Sequence, residues 1–282
     1  MAGHDAVTCC IIATGTVDVM AMIRFAALGD SVTSGYGDPM PGGGWRGWAV
    51  LLAETLGCEL HNLAVSGARI GDVADRQLPV ALDLRPTHAS VLVGMNDTLR
   101  GDFDPVALGY RLTDMVERLT AGGATVMTAR LPDPGRMFGL PGAIARPLGR
   151  RMEALNEVLD RIAADHRTIH VDLAGSASAY ERNHWSVDRL HPSERGHRLL
   201  AHRFALALRD AGHPVPALPG LEATNPEPTV GQRVWWMATQ GNKWLLRRST
   251  DLFPTLARMV VEEVRRRPAT CDRVTELTVP DS

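Results

Sequence analysis

Between Ile23 and about Ala211, short apolar runs alternate with amphipathic segments, and this alternation limits the possible folds more than any other feature of the sequence. Strands that are buried on both faces of a sheet have continuous apolar sequences, whereas helices that cover a sheet carry an apolar stripe. The predicted strands are Arg24–Leu28, Leu60–Ala64, Ser90–Val93, Thr125–Ala129 and Ile169–Leu173. The predicted helices are Trp45–Leu56, Ile70–Leu82, Pro105–Ala121, Ile144–Ala164 and Ser193–Asp210. Right-handed crossovers between five such strands predict a three-layer α/β/α domain with a doubly wound, five-stranded parallel sheet.

Two segments between these elements depart from the pattern. Residues 38–45 are rich in proline and glycine and predict a mobile loop, and residues 132–150 hold too many prolines and glycines for a continuous helix. Both are expected to form rims that shape a substrate pocket. Arg130, Arg136 and Arg146 lie near the second rim, where they could meet an anionic substrate or simply keep the loop solvated.

The composition narrows the class of protein. Of the 282 residues, 45% are hydrophobic and 22% are charged, which excludes a disordered or fibrous chain. A formal net charge of −2 gives no reason to expect nucleic-acid binding. The four cysteines, at positions 9, 10, 58 and 271, have no zinc-site spacing and imply no disulfide framework, which favours a reducing cytoplasm.

The ends of the chain are predicted to lie outside the domain. Residues 1–21 form an N-terminal extension, expected to be disordered, which lacks the basic start of a secretory signal. The domain itself is expected to span residues 22–212, and a proline-rich linker residues 213–232. The chain then continues as a helical appendage over residues 233–267 and a flexible tail over residues 268–282.

The appendage is basic and rich in tryptophan. It carries eight basic and three acidic residues together with Trp235, Trp236 and Trp244. Such a segment could lie on an anionic membrane surface, or bury its aromatic side chains against the catalytic domain or a second subunit. The sequence leaves peripheral membrane contact, dimerisation and intramolecular packing open.

Three candidate site residues follow the first three strands. Ser31, Gly67 and Asn96 each come within a few residues of a strand end. Ligands of doubly wound sheets bind beyond the carboxyl ends of the strands. We therefore expect all three residues at one edge of the sheet, with Asp30 and Asp97 beside them as supporting residues.

A serine hydroxyl is a weak nucleophile and needs a base, commonly a histidine that a carboxylate orients. Asp188 and His191 lie three residues apart, just before the last predicted helix. The carboxylate could accept from one ring nitrogen while the other faces Ser31. A plain surface turn explains the same pair of residues equally well when it is considered alone.

Acyl transfer also needs donors for the oxyanion. Gly67 can present a main-chain N–H at close range, Asn96 a side-chain N–H and Ser31 its own main-chain N–H. Taken singly, Gly67 also fits a tight turn and Asn96 an Asx turn.

Together, four motifs resemble the SGNH (GDSL-type) hydrolase superfamily. They are Gly29-Asp30-Ser31-x-Thr33-x-Gly35, Ala64-x-Ser66-Gly67, Gly94-x-Asn96-Asp97 and Asp188-x-x-His191-Pro192. The resemblance covers about residues 23–211 and implies the flavodoxin-like fold of that superfamily. It further implies Ser31 as nucleophile, His191 as base, Asp188 as its orienting partner, and Ser31, Gly67 and Asn96 as the oxyanion hole, without a metal or other cofactor.

The expected activity is hydrolysis of a small-molecule carboxylic ester through an acyl-enzyme intermediate. The block from Gly29 to Tyr36 looks like those of thioesterase/lysophospholipase members and of carbohydrate acetyl esterases alike, so it does not identify the acyl group. An acyltransferase or thioesterase with the same residues, and a non-catalytic module that binds membranes or partners, remain alternatives.

Overall fold

The computed structural model describes residues 23–225, Gly231 and residues 254–265. The predicted extension 1–21, most of the appendage with its three tryptophans, and the tail 268–282 lie outside the described residues. The predicted five-stranded parallel sheet is confirmed, in the order β2-β1-β3-β4-β5. The strands are β1 Arg24–Gly29, β2 Glu59–Asn62, β3 His88–Leu92, β4 Thr125–Arg130 and β5 Ile169–Asp172.

Helices cover both faces of the sheet. Helices α1 to α4 are Gly47–Leu56, Ile70–Asp72, Leu78–Asp83 and Met95–Thr98. Helices α5 to α8 are Pro105–Ala121, Pro134–Phe138, Gly142–His166 and Glu194–Asp210. Two 3₁₀ turns, Ala177–Tyr180 and Arg182–His184, connect β5 to the loop before α8. A further helix, α9, spans residues 254–265.

The core forms because β1 and β3 are buried along almost their whole length between the helical layers. Helices α1 and α8 pack together on one face, where Trp48 stacks on Phe204 with ring centroids 4.9 Å apart. Helices α5 and α7 pack together and against the sheet. The apolar alternation of the sequence is therefore explained by a sheet that is covered on both sides.

The helix predicted over residues 70–82 is interrupted. A wide π-helical turn, Val73–Gln77, separates α2 from α3. This turn directs the buried Gln77 side chain toward the end of β1. Turns of this kind occur mostly as local insertions in helices, frequently near functional sites.

The expectation that residues 132–150 do not form a continuous helix is confirmed. Helix α6 ends at Phe138 and is followed by Gly139 with the left-handed φ of +61°, whereas α7 begins at Gly142, two residues before the predicted start, and runs through Pro147. The first four N–H groups of a helix have no partner within it. Pro147 is the sixth residue of α7 and lies beyond these four, so it removes one main-chain hydrogen bond from the helix.

The described part of the predicted linker packs on the domain. Val215 and Leu218 contact the hydrophobic core, and Glu194 of α8 accepts hydrogen bonds from the main chain of Thr224 and Asn225, each at 2.8 Å. Residues 213–225 therefore follow the surface of α8.

Helix α9 docks on α7. Met259 is buried, and the carboxylate of Glu263 accepts from Arg146 Nε at 2.6 Å and from Arg150 Nη2 at 2.5 Å. The two guanidinium groups lower the pKa of Glu263 to about 2. None of the helices among the described residues is long and apolar enough to span a membrane.

Candidate active site

Ser31, His191 and Asp188 form one hydrogen-bonded chain. The Ser31 hydroxyl lies 2.9 Å from His191 Nε2, and His191 Nδ1 lies 2.6 Å from Asp188 Oδ2. Ser31 follows β1, whereas the other two residues precede α8, so 160 positions of sequence separate the serine from the histidine. Because the carboxylate accepts a hydrogen bond from Nδ1–H, the proton of the neutral imidazole stays on Nδ1 and Nε2 is left free to take one from the serine.

The loop that carries Asp188 is held by hydrogen bonds from neighbouring residues to the Asp188 carboxylate. Asp188 Oδ1 accepts from Ser186 Oγ at 2.5 Å and from the main-chain N–H groups of Leu190 and His191 at 2.9 and 3.0 Å. Burial alone would raise the pKa of Asp188, but hydrogen bonds and the charge of His191 outweigh it and lower this pKa. The carboxylate is therefore held ionised beside the imidazole.

The three predicted oxyanion donors are drawn together. Asn96 Nδ2 donates to the carbonyl of Ala68, next to Gly67, at 3.0 Å, and to Asp30 Oδ2, next to Ser31, at 3.3 Å. Within the described part of the chain, the main-chain N–H groups of Ser31 and Gly67 donate to no protein acceptor. Gly67 has a φ of +83°, a conformation that favours glycine.

The two predicted supporting carboxylates are buried behind these donors. Burial raises the pKa of Asp30 to about 6, although its Oδ1 accepts from the Val32 N–H at 3.0 Å. Asp97 Oδ2 accepts from the Ile70 N–H at 3.1 Å, and burial likewise raises the pKa of Asp97. Asp97 thus ties the loop after β3 to the start of α2.

Comparison with known families fits this geometry. Residues 27–199 match the model of the GDSL-like lipase/acylhydrolase family, which is more than half of the chain. The chain belongs to that family. The superfamily predicted from the four motifs is thereby confirmed.

Similar proteins include esterases. The GDSL-like esterase Rv1075c of Mycobacterium tuberculosis is 30% identical over 229 residues, which cover 72% of this chain and 70% of that protein. An acetylxylan esterase of Geobacillus stearothermophilus is 24% identical over 165 residues, covering 56% of this chain and 74% of that protein. The crystal structure of TesA has the same fold, with a TM-score of 0.55 and 23% identity over 66% of this chain and 98% of that one. As a member of the GDSL-like family, the chain is a carboxylic ester hydrolase.

An apolar cavity of about 100 Å³ is lined by sequence neighbours of Ser31 and His191, but not by Ser31 or His191 themselves. Its wall includes Asp30 and Val32 on either side of Ser31, and Leu190 and Pro192 on either side of His191. The remaining wall is almost entirely apolar and includes Leu92, Val93, Leu131, Met137, Leu199 and Leu200.

The predicted rims contribute unequally to this cavity. The rim after β4 supplies Pro132 and Met137, whereas residues 38–47 supply nothing to the wall among the described residues. The loop over residues 38–46 is instead tied down at its base, where Arg46 pairs with Asp38 at 2.9 Å.

The three arginines near the second rim are engaged with protein groups. Arg130 pairs with Asp160 and Glu153, Arg146 pairs with Glu263, and the Arg136 guanidinium lies 3.7 Å from the centre of the Tyr180 ring. These contacts with other protein groups favour a structural role for the three arginines over binding of an anionic substrate. Among the described residues, no group of three His, Cys, Asp or Glu side chains is placed to hold a metal ion.

Sequence reasoning missed four residues that build the site. They are Tyr36, whose ring contacts His191, Gln77, which binds the end of β1, Ser186 and His197. Two of them carried a signal, because Gln77 and His197 are polar residues at otherwise apolar positions of a helical face. Polar groups buried in this way are normally hydrogen-bonded.

His197 is held neutral. Its Nδ1 accepts from the Trp48 N–H at 3.2 Å and its Nε2 donates to the Tyr36 carbonyl at 3.0 Å. Burial lowers the pKa of His197 to about 4, which agrees with this pattern. The side chain therefore joins α8, α1 and the loop after Ser31 without carrying charge.

Proposed function

We propose that the protein hydrolyses esters of short apolar acyl groups through a covalent acyl-enzyme on Ser31. The observation that carries this proposal is the continuous hydrogen-bonded chain from Ser31 through His191 to Asp188. A general base within hydrogen-bonding reach of a serine, and itself oriented by a carboxylate, is the arrangement that activates the hydroxyl.

In the first half-reaction Ser31 Oγ attacks the ester carbonyl carbon while His191 Nε2 takes the hydroxyl proton. The carbonyl oxygen becomes an oxyanion. It accepts hydrogen bonds from the main-chain N–H groups of Ser31 and Gly67 and from the side-chain amide of Asn96. The bond to the alcohol oxygen then breaks, and the imidazolium donates its proton to the leaving alcohol.

In the second half-reaction a water molecule attacks the acyl-serine. His191 takes a proton from this water as the new carbon–oxygen bond forms, and the proton returns to Ser31 Oγ as the acyl bond breaks. This step yields the carboxylic acid and the free serine, so water is the only co-substrate that the cycle consumes.

Asn96 must move slightly to take part. Its amide already donates to Ala68 and to Asp30, and the contact with Asp30 is the longer of the two at 3.3 Å. We expect the Asn96 N–H that donates to Asp30 to donate to the oxyanion instead as negative charge develops on it. Hydrogen bonds in apo active sites are often long and tighten in the complex.

The cavity supports a short acyl group. Its volume is about 100 Å³, and a dry cavity of roughly 150 Å³ holds benzene with its six carbons. By proportion the cavity accommodates an acyl chain of about four carbons. The apolar wall favours an uncharged alkyl chain, which would lie beside Ser31 and His191.

The test is a series of p-nitrophenyl esters with acyl chains from acetyl to decanoyl. We expect kcat/KM to peak near butyryl, and Ser31→Ala to lose at least about 10³-fold at every length. Ser34→Ala is the matched control, since the Ser34 hydroxyl lies three residues away and only donates to the Ser31 carbonyl at 2.9 Å. An inert wild type, or an active Ser31→Ala variant, would refute the proposal.

A further inference from the structure

Three aromatic rings form a column that ends on His191. The ring centroid of Tyr36 lies 4.4 Å from that of His191, with 48° between the ring planes. The Tyr36 ring also packs against Trp45, again with 4.4 Å between centroids. Tyr36 is half-buried and Trp45 is 39% exposed, so the column runs from solvent to the candidate base.

The position of Tyr36 is fixed on several sides. Its main-chain N–H donates to the Ser31 carbonyl at 3.1 Å, and its carbonyl accepts from His197 Nε2 at 3.0 Å. Trp45 is in turn held by a main-chain bridge to Pro39. The main chain of Tyr36 is therefore hydrogen-bonded to the nucleophile residue on one side and to α8 on the other.

His191 changes charge during the reaction that we propose. It is neutral when it faces Ser31 and becomes an imidazolium when the hydroxyl proton moves to it. The face of a tyrosine ring attracts a cation that lies within about 6 Å of its centre, and the attraction grows where water is excluded. His191 is 7% exposed, so the contact with Tyr36 lies in a shielded place.

We propose that Tyr36 is a positioning residue that stabilises the imidazolium form of His191 through the π face of its ring. This inference rests on the proposed function, because it assigns to Tyr36 a role in the same proton transfer. It goes beyond that function, because neither the triad nor the oxyanion donors require an aromatic residue at this position.

Other groups also act on the charge of His191. Asp188 accepts from its Nδ1, Asp30 lies close enough for their charges to interact, and the neutral His197 faces it from α8. Asp30 has a raised pKa and can itself titrate in the acid range. The contribution of Tyr36 must therefore be measured as a difference between variants in which these three residues are unchanged.

The test is the pH profile of kcat/KM for p-nitrophenyl butyrate. Tyr36→Leu fills the space with an apolar side chain but removes the π face, and Tyr36→Phe keeps the face and removes only the hydroxyl. We expect the acid limb of Tyr36→Leu to move down by about half to one pH unit, because loss of the cation–π contact destabilises the imidazolium form of His191. At the alkaline plateau we expect its kcat/KM to fall about 3- to 10-fold. Tyr36→Phe should match the wild type in both respects.

Two results would overturn the inference. One is an acid limb of Tyr36→Leu that coincides with that of the wild type. The other is an equal displacement in Tyr36→Phe, which would assign the effect to the hydroxyl. If Tyr36→Leu does not fold, Tyr36→Met provides the same comparison. Failure of the proposed function is separate, because it appears as an inert wild type or an active Ser31→Ala variant.

Discussion

The side chain of Gln77 pairs with the main chain of Gly29 as another peptide group would. Its Oε1 accepts from the Gly29 N–H at 2.8 Å and its Nε2 donates to the Gly29 carbonyl at 2.9 Å. Gly29 is the last residue of β1, two positions before Ser31. A Cβ at this position would lie 2.4 Å from the Leu92 carbonyl oxygen, so no residue with a side chain fits at position 29.

Replacing Gln77 by leucine should therefore leave the buried Gly29 N–H without a partner, whereas the Gly29 carbonyl keeps its hydrogen bond from the Val65 N–H at 3.2 Å. We expect Gln77→Leu to lower the free energy of unfolding by about 1 to 3 kcal/mol and to lower kcat, because the strand end before Ser31 is held less firmly. Urea denaturation and ester turnover at 15 °C measure the two effects.

Asn156 provides the matched control, since it binds the N–H and carbonyl of Leu131 in the same way at 2.8 and 2.9 Å. Asn156→Leu should cost at least as much stability but retain more of kcat per folded molecule, since Leu131 lines the cavity, where it can affect KM, but carries no reacting group. Equal losses of kcat in both variants would contradict a specific role for Gln77.

Asp30 gives a pH-dependent prediction. Its pKa in the folded protein is about 6, against 3.8 for an unperturbed carboxyl. Between these values the folded protein keeps a proton that the unfolded chain has released, so the contribution of Asp30 to stability decreases as pH rises from about 4 to 6. Asp30→Asn does not titrate. The unfolding free energy of the wild type relative to this variant should therefore decrease by up to about 3 kcal/mol from pH 4 to pH 7. A difference that is constant over this range would contradict the raised pKa.

We expect Asp188 to contribute to kcat by fixing the tautomer of His191. Asp188→Asn no longer fixes the proton on Nδ1, and we expect kcat to fall about 10³- to 10⁴-fold with little change in KM. Ser186→Ala removes only one of three donors to Asp188 Oδ1, and should cost less than about tenfold. Steady-state kinetics on p-nitrophenyl butyrate separates the two, and comparable losses would show that Asp188 does not act through His191.

The cavity wall predicts a change in substrate range. Met137 is a buried residue of α6 that lines the cavity. Met137→Ala should enlarge the cavity and move the optimum of the ester series to longer acyl chains. Met152→Ala is the control, because Met152 is also buried but does not line the cavity. If both variants keep the wild-type optimum, the cavity does not receive the acyl group.

The sheet could be predicted from the sequence because its central strands β1 and β3 are buried along almost their whole length. Helix α5 was predicted to the residue, since Asp104 caps its start and Pro105 occupies the first turn. The π-helical turn at Val73–Gln77 was not predicted, because hydrophobic periodicity does not distinguish it from a regular helix. The start of α7 was predicted at Ile144, two residues after the observed start at Gly142, because no N-cap side chain marks the beginning of this helix.

The sequence predicted the candidate site by residue type and order, including contacts among Ser31, His191 and Asp188, but it did not predict the contacts of the surrounding residues. Gly29-Asp30-Ser31 and Asp188-x-x-His191 indicate a nucleophile and a base, and the structure brings the two motifs together. The ring of Tyr36 on His191 depends on how the loop after Ser31 packs against α8. That packing is tertiary and leaves no periodic pattern in the sequence.

The central claim is that Ser31 forms the covalent intermediate, and an active-site phosphonate ester tests it most directly. After incubation with a p-nitrophenyl alkylphosphonate, intact-mass and peptide mass spectrometry should find one label per chain, on Ser31, appearing in step with loss of activity. Ser31→Ala should take up no label, and Ser34→Ala should be labelled like the wild type. Inactivation with the label on another residue, or full labelling of Ser31→Ala, would contradict the account.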